Sequence, residues 1–307
     1  MRNGIFKRSV TFLLMLAGCA APQNQSPTLA RPPEAGQNWV SEQQGQRWIA
    51  YYDKEAPTEH FKDYDLVVFD PEHHPAFHTL KPRTEVLGYL SIGEVHGHSP
   101  YVNDLKAAGA IISRNPKWDS YVVDPRSKEW RDLILTKKIP AMVAAGFDGL
   151  MLDTIDSPLN VDSGKKDEEA IYVASVKLIR DIRTHFPNMK IMLNRGFEIL
   201  GPVSGYLDYV LAESTFAKYE DDGKTPVIWE HSAQRPIVEM LRRANRKNPQ
   251  LKIYTLDYWD MNDVQGVKFV YQVQRMRGFI PYVASPDLRS THAEPMLPHP
   301  EQQSLRG

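Results

Sequence analysis

Eight short apolar runs follow one another between Trp48 and Ala284, with helix-patterned or turn-rich segments between them. A chain that alternates strand and helix in this way has few means of burying both. Parallel strands joined by crossover helices are the economical solution, and eight such units close into a (β/α)8 barrel. The runs predict strands at Trp48–Tyr52, Leu66–Asp70, Val86–Ile92, Leu150–Asp153, Lys190–Asn194, Tyr209–Glu213, Lys252–Leu256 and Ile280–Ala284. Helices are expected at Lys128–Ala145, which ends at Gly146, at Asp167–His185 and Ser232–Lys247, which stop before Pro187 and Pro249, and at Asp263–Arg277, which ends at Gly278. The first two units offer only short helical candidates near Thr58–Tyr64 and His73–Leu80, and Ser99–Asp124 reads as an elaborated loop over the barrel mouth. An open doubly wound sheet would normally carry a glycine-rich turn after its first strand. Tyr51-Tyr52-Asp53-Lys54 stands there instead.

The periodic part is a single α/β domain at 47–290 within the 307 residues, close to the ~250 residues usual for such a barrel. Ahead of it, Arg2, Lys7 and Arg8 precede the apolar TFLLMLAG and then Cys19, the single cysteine. That order reads as a signal peptide at 1–18. Leu16 to Cys19, LAGC, resembles the bacterial lipobox, so Cys19 is expected to be lipidated and to hold the protein on the bacterial cell envelope. In a host with two membranes, Ala20 after the cysteine resembles outer-membrane sorting. Residues 19–46 are rich in Pro, Gln and small side chains and should form a tether, and 291–307 a surface-lying or frayed tail. A net charge of −1 supplies no basic field for nucleic acid, which is not expected as a partner. A monomer is expected.

Several runs end in an acid: Asp70, Glu94, Asp153, Asp156, Glu213 and Asp257. In barrels of this type the active site forms at the C-terminal ends of the strands. Two carboxylates across a glycosidic bond can split it, one giving a proton to the leaving oxygen and the other attacking the anomeric carbon or activating water. Asp153 and Glu213, ending the fourth and sixth strands, suit those roles. The structural alternative is that Asp153 caps a turn and Glu213 pairs with Lys218 or Arg195. Asp156, before Ser157-Pro158, is the rival nucleophile but fits a turn better. Asp70, Glu94 and Asp257 are placed to hold substrate hydroxyls or amines, Asn194 and Arg195 to hydrogen-bond a sugar ring, and Tyr89, Tyr258 and Trp259 to stack on pyranose faces.

His73, His74, His78, His96 and His98 cluster in the early loops, but there is no HExxH pattern, and solvated loop histidines are common. Neither a metal nor another cofactor is expected. GxSxG and P-loop patterns are absent, which argues against serine-hydrolase and nucleotide-dependent chemistry.

VVFDPEHHP, VLGYLSIGE, GFDGLMLDTIDSP, LNRG and LAES together resemble glycoside hydrolase family 114, the endo-α-1,4-polygalactosaminidases, over nearly the whole domain. The most specific element is GFDGLMLDTID at 146–156, followed by the YLSIGE segment ending at Glu94. The resemblance implies the barrel, a galactosamine-rich polysaccharide substrate, and an Asp after strand four paired with a Glu after strand six, which fall on Asp153 and Glu213. A polymer of deacetylated galactosamine is cationic, and a mouth bearing Asp70, Glu94, Asp153, Asp156, Glu213, Asp257 and Asp260 would concentrate it. The alternative is a catalytically idle barrel that binds a glycan within an exopolysaccharide or biofilm assembly, since fold does not establish activity. The His-rich continuation after Glu94 in GEVHGHSP departs from the family pattern and leaves the substrate subsites open.

Overall fold

The computed structural model describes residues 45–161, 165–220 and 223–295. The expected signal peptide, Cys19, the tether as far as residue 44 and the tail beyond 295 lie outside the described residues. Runs rich in Val, Ile, Leu and aromatic side chains make the strands, because such residues suit a pleated surface covered on both faces. In chain order these are β1 (Trp48–Tyr51), β2 (Leu66–Phe69), β3 (Glu85–Ser91), β4 (Glu94–His96), β5 (Ile111–Asn115), β6 (Ser120–Val123) and β7 (Gly149–Asp153). There follow β8 (Lys190–Asn194), β9 (Tyr209–Glu213), β10 (Ala217–Tyr219), β11 (Pro226–Ile228), β12 (Lys252–Tyr258) and β13 (Ile280–Ala284). Eight of them form one sheet in the order β1-β2-β3-β7-β8-β9-β12-β13, and every pairing in it is parallel. The result is a nearly closed (β/α)8 barrel. Among the described residues no ladder joins β1 to β13. The seam is held by the Trp48 indole, whose Nε1 donates to the Ile280 carbonyl at 3.0 Å, and by Tyr52 N–H donating to the Leu288 carbonyl at 2.8 Å.

Inward-facing aromatic rings fill the barrel. Trp48 meets Tyr254 and Tyr282 edge-on at 5.5 and 5.8 Å, and Tyr209 meets Tyr254 at 5.3 Å. Helices cover the outside: α1 (Val102–Ala107), α2 (Lys128–Leu133), α3 (Ile139–Ala145), α4 (Asp156–Leu159), α5 (Lys165–His185), α6 (Leu200–Val203), α7 (His231–Lys247) and α8 (Val264–Met276). The single helix expected at Lys128–Ala145 is broken by a π turn at Ile134–Lys138. Pro140 has no N–H to continue the ladder, and a π turn just before it absorbs the mismatch. Gly146 ends α3 in the left-handed conformation, φ 91°, and its N–H caps the helix. The two early helical candidates are single 3₁₀ turns at Thr58–Phe61 and His78–Leu80.

Two additions stand on the mouth side. β4, β6 and β5 form an antiparallel sheet that includes most of the expected loop, and β10 and β11 form a hairpin after β9. The first is tied closely to the barrel at Gly93, where any Cβ would collide with the Thr154 carbonyl. At the far end of the described chain, Tyr64 Oη donates to the His292 carbonyl at 3.1 Å and Arg275 pairs with Glu294 at 2.6 Å, so the start of the expected tail is tied down. Among the described residues no helix is long and apolar enough to cross a membrane.

Candidate active site

Side chains alternate along a strand, so parity decides which strand-end residues face the barrel axis. β7, β8 and β9 are neighbours, and their last residues, Asp153, Asn194 and Glu213, meet over the barrel. Asn194 Nδ2 donates to Asp153 Oδ1 at 2.9 Å and to Glu213 Oε2 at 2.6 Å. Those two oxygens therefore lie no farther apart than the sum of the two bonds, 5.5 Å. Tyr89 Oη donates to Asp153 Oδ2 at 3.0 Å, and Tyr258 Oη to Glu213 Oε1 at 2.7 Å. Each carboxylate is thus held by a phenol of its own and one shared amide.

The backbone beyond these residues has a common form. Thr154, Arg195 and Ser214, each directly after one of the three, adopt left-handed conformations with φ of 64°, 55° and 52°. A non-glycine residue held there costs about 1–2 kcal/mol. Local bonds hold these turns: Thr154 Oγ1 accepts from Gly93 N–H at 3.0 Å, Arg195 N–H donates to the Leu211 carbonyl at 2.9 Å, and Ser214 N–H to the Leu256 carbonyl at 2.8 Å. The sharp turn takes the chain away while the preceding side chain stays over the axis.

Burial, and next the like charge of Glu213, raise the Asp153 carboxyl from 3.8 to about 6, against the Thr154 N–H, Asn194 and Tyr89 donors that lower it. Burial and the nearby carboxylates push the phenols of Tyr52, Tyr89 and Tyr258 well above 10, so they remain protonated donors. Tyr52 directly follows β1 and packs on Tyr89 with ring centroids 5.5 Å apart. The charges that act on it come from Tyr89, Asp153, Glu213 and Asp70. Sequence reasoning missed this residue. The signal was there: Trp48, Ala50 and Tyr52 share a parity, and Trp48 faces inward.

The other expected residues lie around this group or outside it. Asp156 begins α4 and pairs with Arg195 Nε at 3.3 Å, while Arg195 Nη1 donates to the Glu213 carbonyl rather than to its carboxylate. Asp70 is partly exposed and accepts from the N–H groups of Glu72 and His73 at 2.7 and 3.1 Å, the bonding of a turn residue. Three expectations of substrate contact need correction. Glu94 is 6% exposed, because the chain turns at Gly93 and carries it into the side sheet, where Asn115, Ser120 and Ser157 bond its carboxylate. Asp257 is 0% exposed. β12 runs on to Tyr258, which places Asp257 on the outer face, where it accepts from Phe216 and Ala217 N–H at 3.0 and 2.9 Å and from Gln274 at 2.6 Å. Trp259 turns outward, bonding Asp263 at 3.0 Å and packing beside Phe216 and Val267. The mouth is less acidic than the sequence suggested.

A neutral amide shared by two carboxylates, with phenols on either side, is suited to proton transfer and nucleophilic attack at one carbon atom. No protein of curated function matched the sequence. Among solved structures, the glycoside hydrolase domain of PelA from Pseudomonas aeruginosa is similar, with a TM-score of 0.72 and 24% identity over 81% of this chain and 98% of that one. Ega3 from Aspergillus fumigatus, solved in complex with galactosamine, is similar with a TM-score of 0.56 and 15% identity over 80% and 92% of the two chains. At these identities the likeness establishes the fold. The model of glycoside hydrolase family GH114 matches residues 28–297, which span every barrel strand and both carboxylates; the chain belongs to that family and is a glycoside hydrolase.

Proposed function

We propose that this protein is a lipid-anchored endo-glycosidase that cleaves a galactosamine-containing polysaccharide with retention of configuration, using Asp153 as nucleophile and Glu213 as general acid/base. The observation that carries the reading is the pair of carboxylates bridged by one amide. That close approach of one oxygen from each acid favours a retaining enzyme, whose carboxyl groups lie about 5–5.5 Å apart, over an inverting one, whose groups lie roughly 6.5–9.5 Å apart. An Asp153 oxygen attacks the anomeric carbon while the Glu213 proton passes to the departing glycosidic oxygen. Water then attacks the same carbon, gives its proton to Glu213 and releases Asp153. At pH 7 a carboxyl with a pKa of about 6 is mostly ionised, as a nucleophile must be.

The substrate class rests on the family resemblance and on galactosamine bound to Ega3. Asp70, Asp153 and Glu213 would attract a cationic amino sugar, while Arg195 is occupied by Asp156. Endo action follows the resemblance alone. The LAGC sequence supports an anchor at Cys19 on the bacterial envelope, at the outer membrane where the host has one.

The raised Asp153 also favours a second reading, with Asp153 as acid and Glu213 as nucleophile. Soluble protein starting after Cys19 should release oligosaccharides from galactosamine-containing polymer, detected by mass spectrometry. Asp153→Asn and Glu213→Gln should each lose at least ~10³-fold in turnover while remaining folded. Activity retained in both variants removes the site. Polymer bound without any products would indicate the idle glycan-binding barrel. A sugar adduct trapped with a 2-fluoro glycoside and mapped to Glu213 or Asp156 would reassign the nucleophile.

A further inference from the structure

We infer that Asn194 is a positioning residue that sets the spacing of the two carboxylates, and that it does not touch the sugar. The inference rests on the proposed roles of Asp153 and Glu213. A primary amide has two protons, and both are used here, one on each carboxylate. The residue is 3% exposed, and its Oδ1 is buried without a hydrogen-bond partner among the described residues. Rotating the amide by half a turn would give that oxygen a new environment, but it would set a carbonyl lone pair against two carboxylates. The observed orientation is therefore chemically determined, held by two charge-assisted bonds at the expense of one unsatisfied oxygen.

The frame that carries the amide is equally constrained. Asn194 pairs in register with Leu211 of β9, and the next residue bonds that strand twice, through Arg195 N–H to the Leu211 carbonyl and Arg195 Nη1 to the Glu213 carbonyl, both at 2.9 Å. Asn194 thus moves with the strand that bears Glu213 and reaches across to the strand that bears Asp153. A sugar-binding asparagine would keep a donor or acceptor open toward the mouth. This one has spent both donors, and its acceptor is inaccessible.

The test reads the ionisation of Asp153, which faces Glu213, Tyr89, Tyr52 and Tyr258 as well as Asn194. Asn194→Leu keeps the branched outline, with bulkier methyl groups, and removes both donors; Asn194→Ser is the fallback should leucine fail to fold. Each is compared with wild type on a short galactosamine oligosaccharide across pH. Loss of the amide donor should move the acid limb of kcat/KM to higher pH and lower kcat by ~10²-fold or more, with KM within about threefold of wild type. An unmoved acid limb with a raised KM would make Asn194 a sugar contact and overturn the inference. The pH dependence of thermal unfolding follows the same carboxyl without turnover: its inflection should move upward in both variants, and an unchanged inflection also overturns the inference. Asp153→Asn and Glu213→Gln are run in parallel. If they stay active, the proposed function fails. If they are inactive while the asparagine variants keep the wild-type profile, only the positioning role fails.

Discussion

Acids sit at both ends of this barrel, and what surrounds them differs. Asp65, Asp148 and Asp208 each stand one residue before a strand, and each accepts an N–H from the neighbouring strand or the residue just before it: Arg47, Val86 and Ile191, at 2.8, 2.9 and 3.0 Å. Two of them also take a cation, Lys81 on Asp148 and Arg183 on Asp208, both at 2.5 Å. Asp153 and Glu213 stand at the opposite end, and the side chains bonded to their carboxylates are a neutral amide and neutral phenols. A paired cation commits a carboxylate to structure. Neutral donors orient it while leaving its proton and its lone pairs available for chemistry.

The two ends should therefore fail in different ways when mutated. The loss in turnover proposed for Asp153→Asn and Glu213→Gln is the largest effect expected, and it should come without a loss of folding. Asp208→Ala should do the reverse. It removes the carboxylate bonded to Arg183, which keeps the Tyr206, Pro187 and Met189 carbonyls, and leaves the Ile191 N–H without its acceptor, costing about 2 kcal/mol and lowering the melting temperature by about 5 °C, with kcat unchanged below the transition. A drop in kcat without a change in melting temperature would erase the distinction between the two ends.

Acidity sharpens the contrast further. Asp153 and the buried Asp257 both rise from 3.8 to about 6, so the folded protein holds these protons more tightly than the unfolded chain does. The stability they contribute is complete below about pH 4 and is lost as pH climbs through 6, the interval in which a nucleophilic Asp153 becomes active. Stability and turnover should run in opposite directions there, and Asp153→Asn should flatten part of the stability slope in melting curves taken from pH 4 to 7. Identical slopes in the two proteins would show that Asp153 does not titrate there. The smallest effect is expected from Ser214→Gly. Relief of a left-handed serine is nearly offset by the entropy that glycine adds to the unfolded chain, so stability should move by no more than ~0.5 kcal/mol. Turnover should fall a few-fold as Glu213 loosens; an unchanged kcat would mean that the strained turn does not aim the acid.

The positions of the eight strands were legible because each is a dense apolar run, and Gly146 and Gly278 marked helix ends correctly. The side sheet was not legible, since β4 is only three residues long and its partners lie far along the chain. At the site, proximity to a strand end located the right region but could not say which residues face the axis. Asp257 and Glu94 show the limit: two more residues of strand put the first on the outer face, and one turn at Gly93 sent the second into another sheet. Tyr52 went unnoticed beside the strand-end acids and the aromatics Tyr89, Tyr258 and Trp259, although its parity with Trp48 was available. The left-handed turns at Thr154, Arg195 and Ser214 left no trace in residue type.

The seam between β1 and β13 has a consequence for how the barrel breathes. A ring whose last joint has no strand ladder among the described residues, only the Trp48 indole, its packing on Tyr282 and one backbone bond to a following loop, has a built-in weakest point, and thermal opening should begin there. Tyr52 sits beside that joint and borders the acids, so each opening would change the width of the mouth itself.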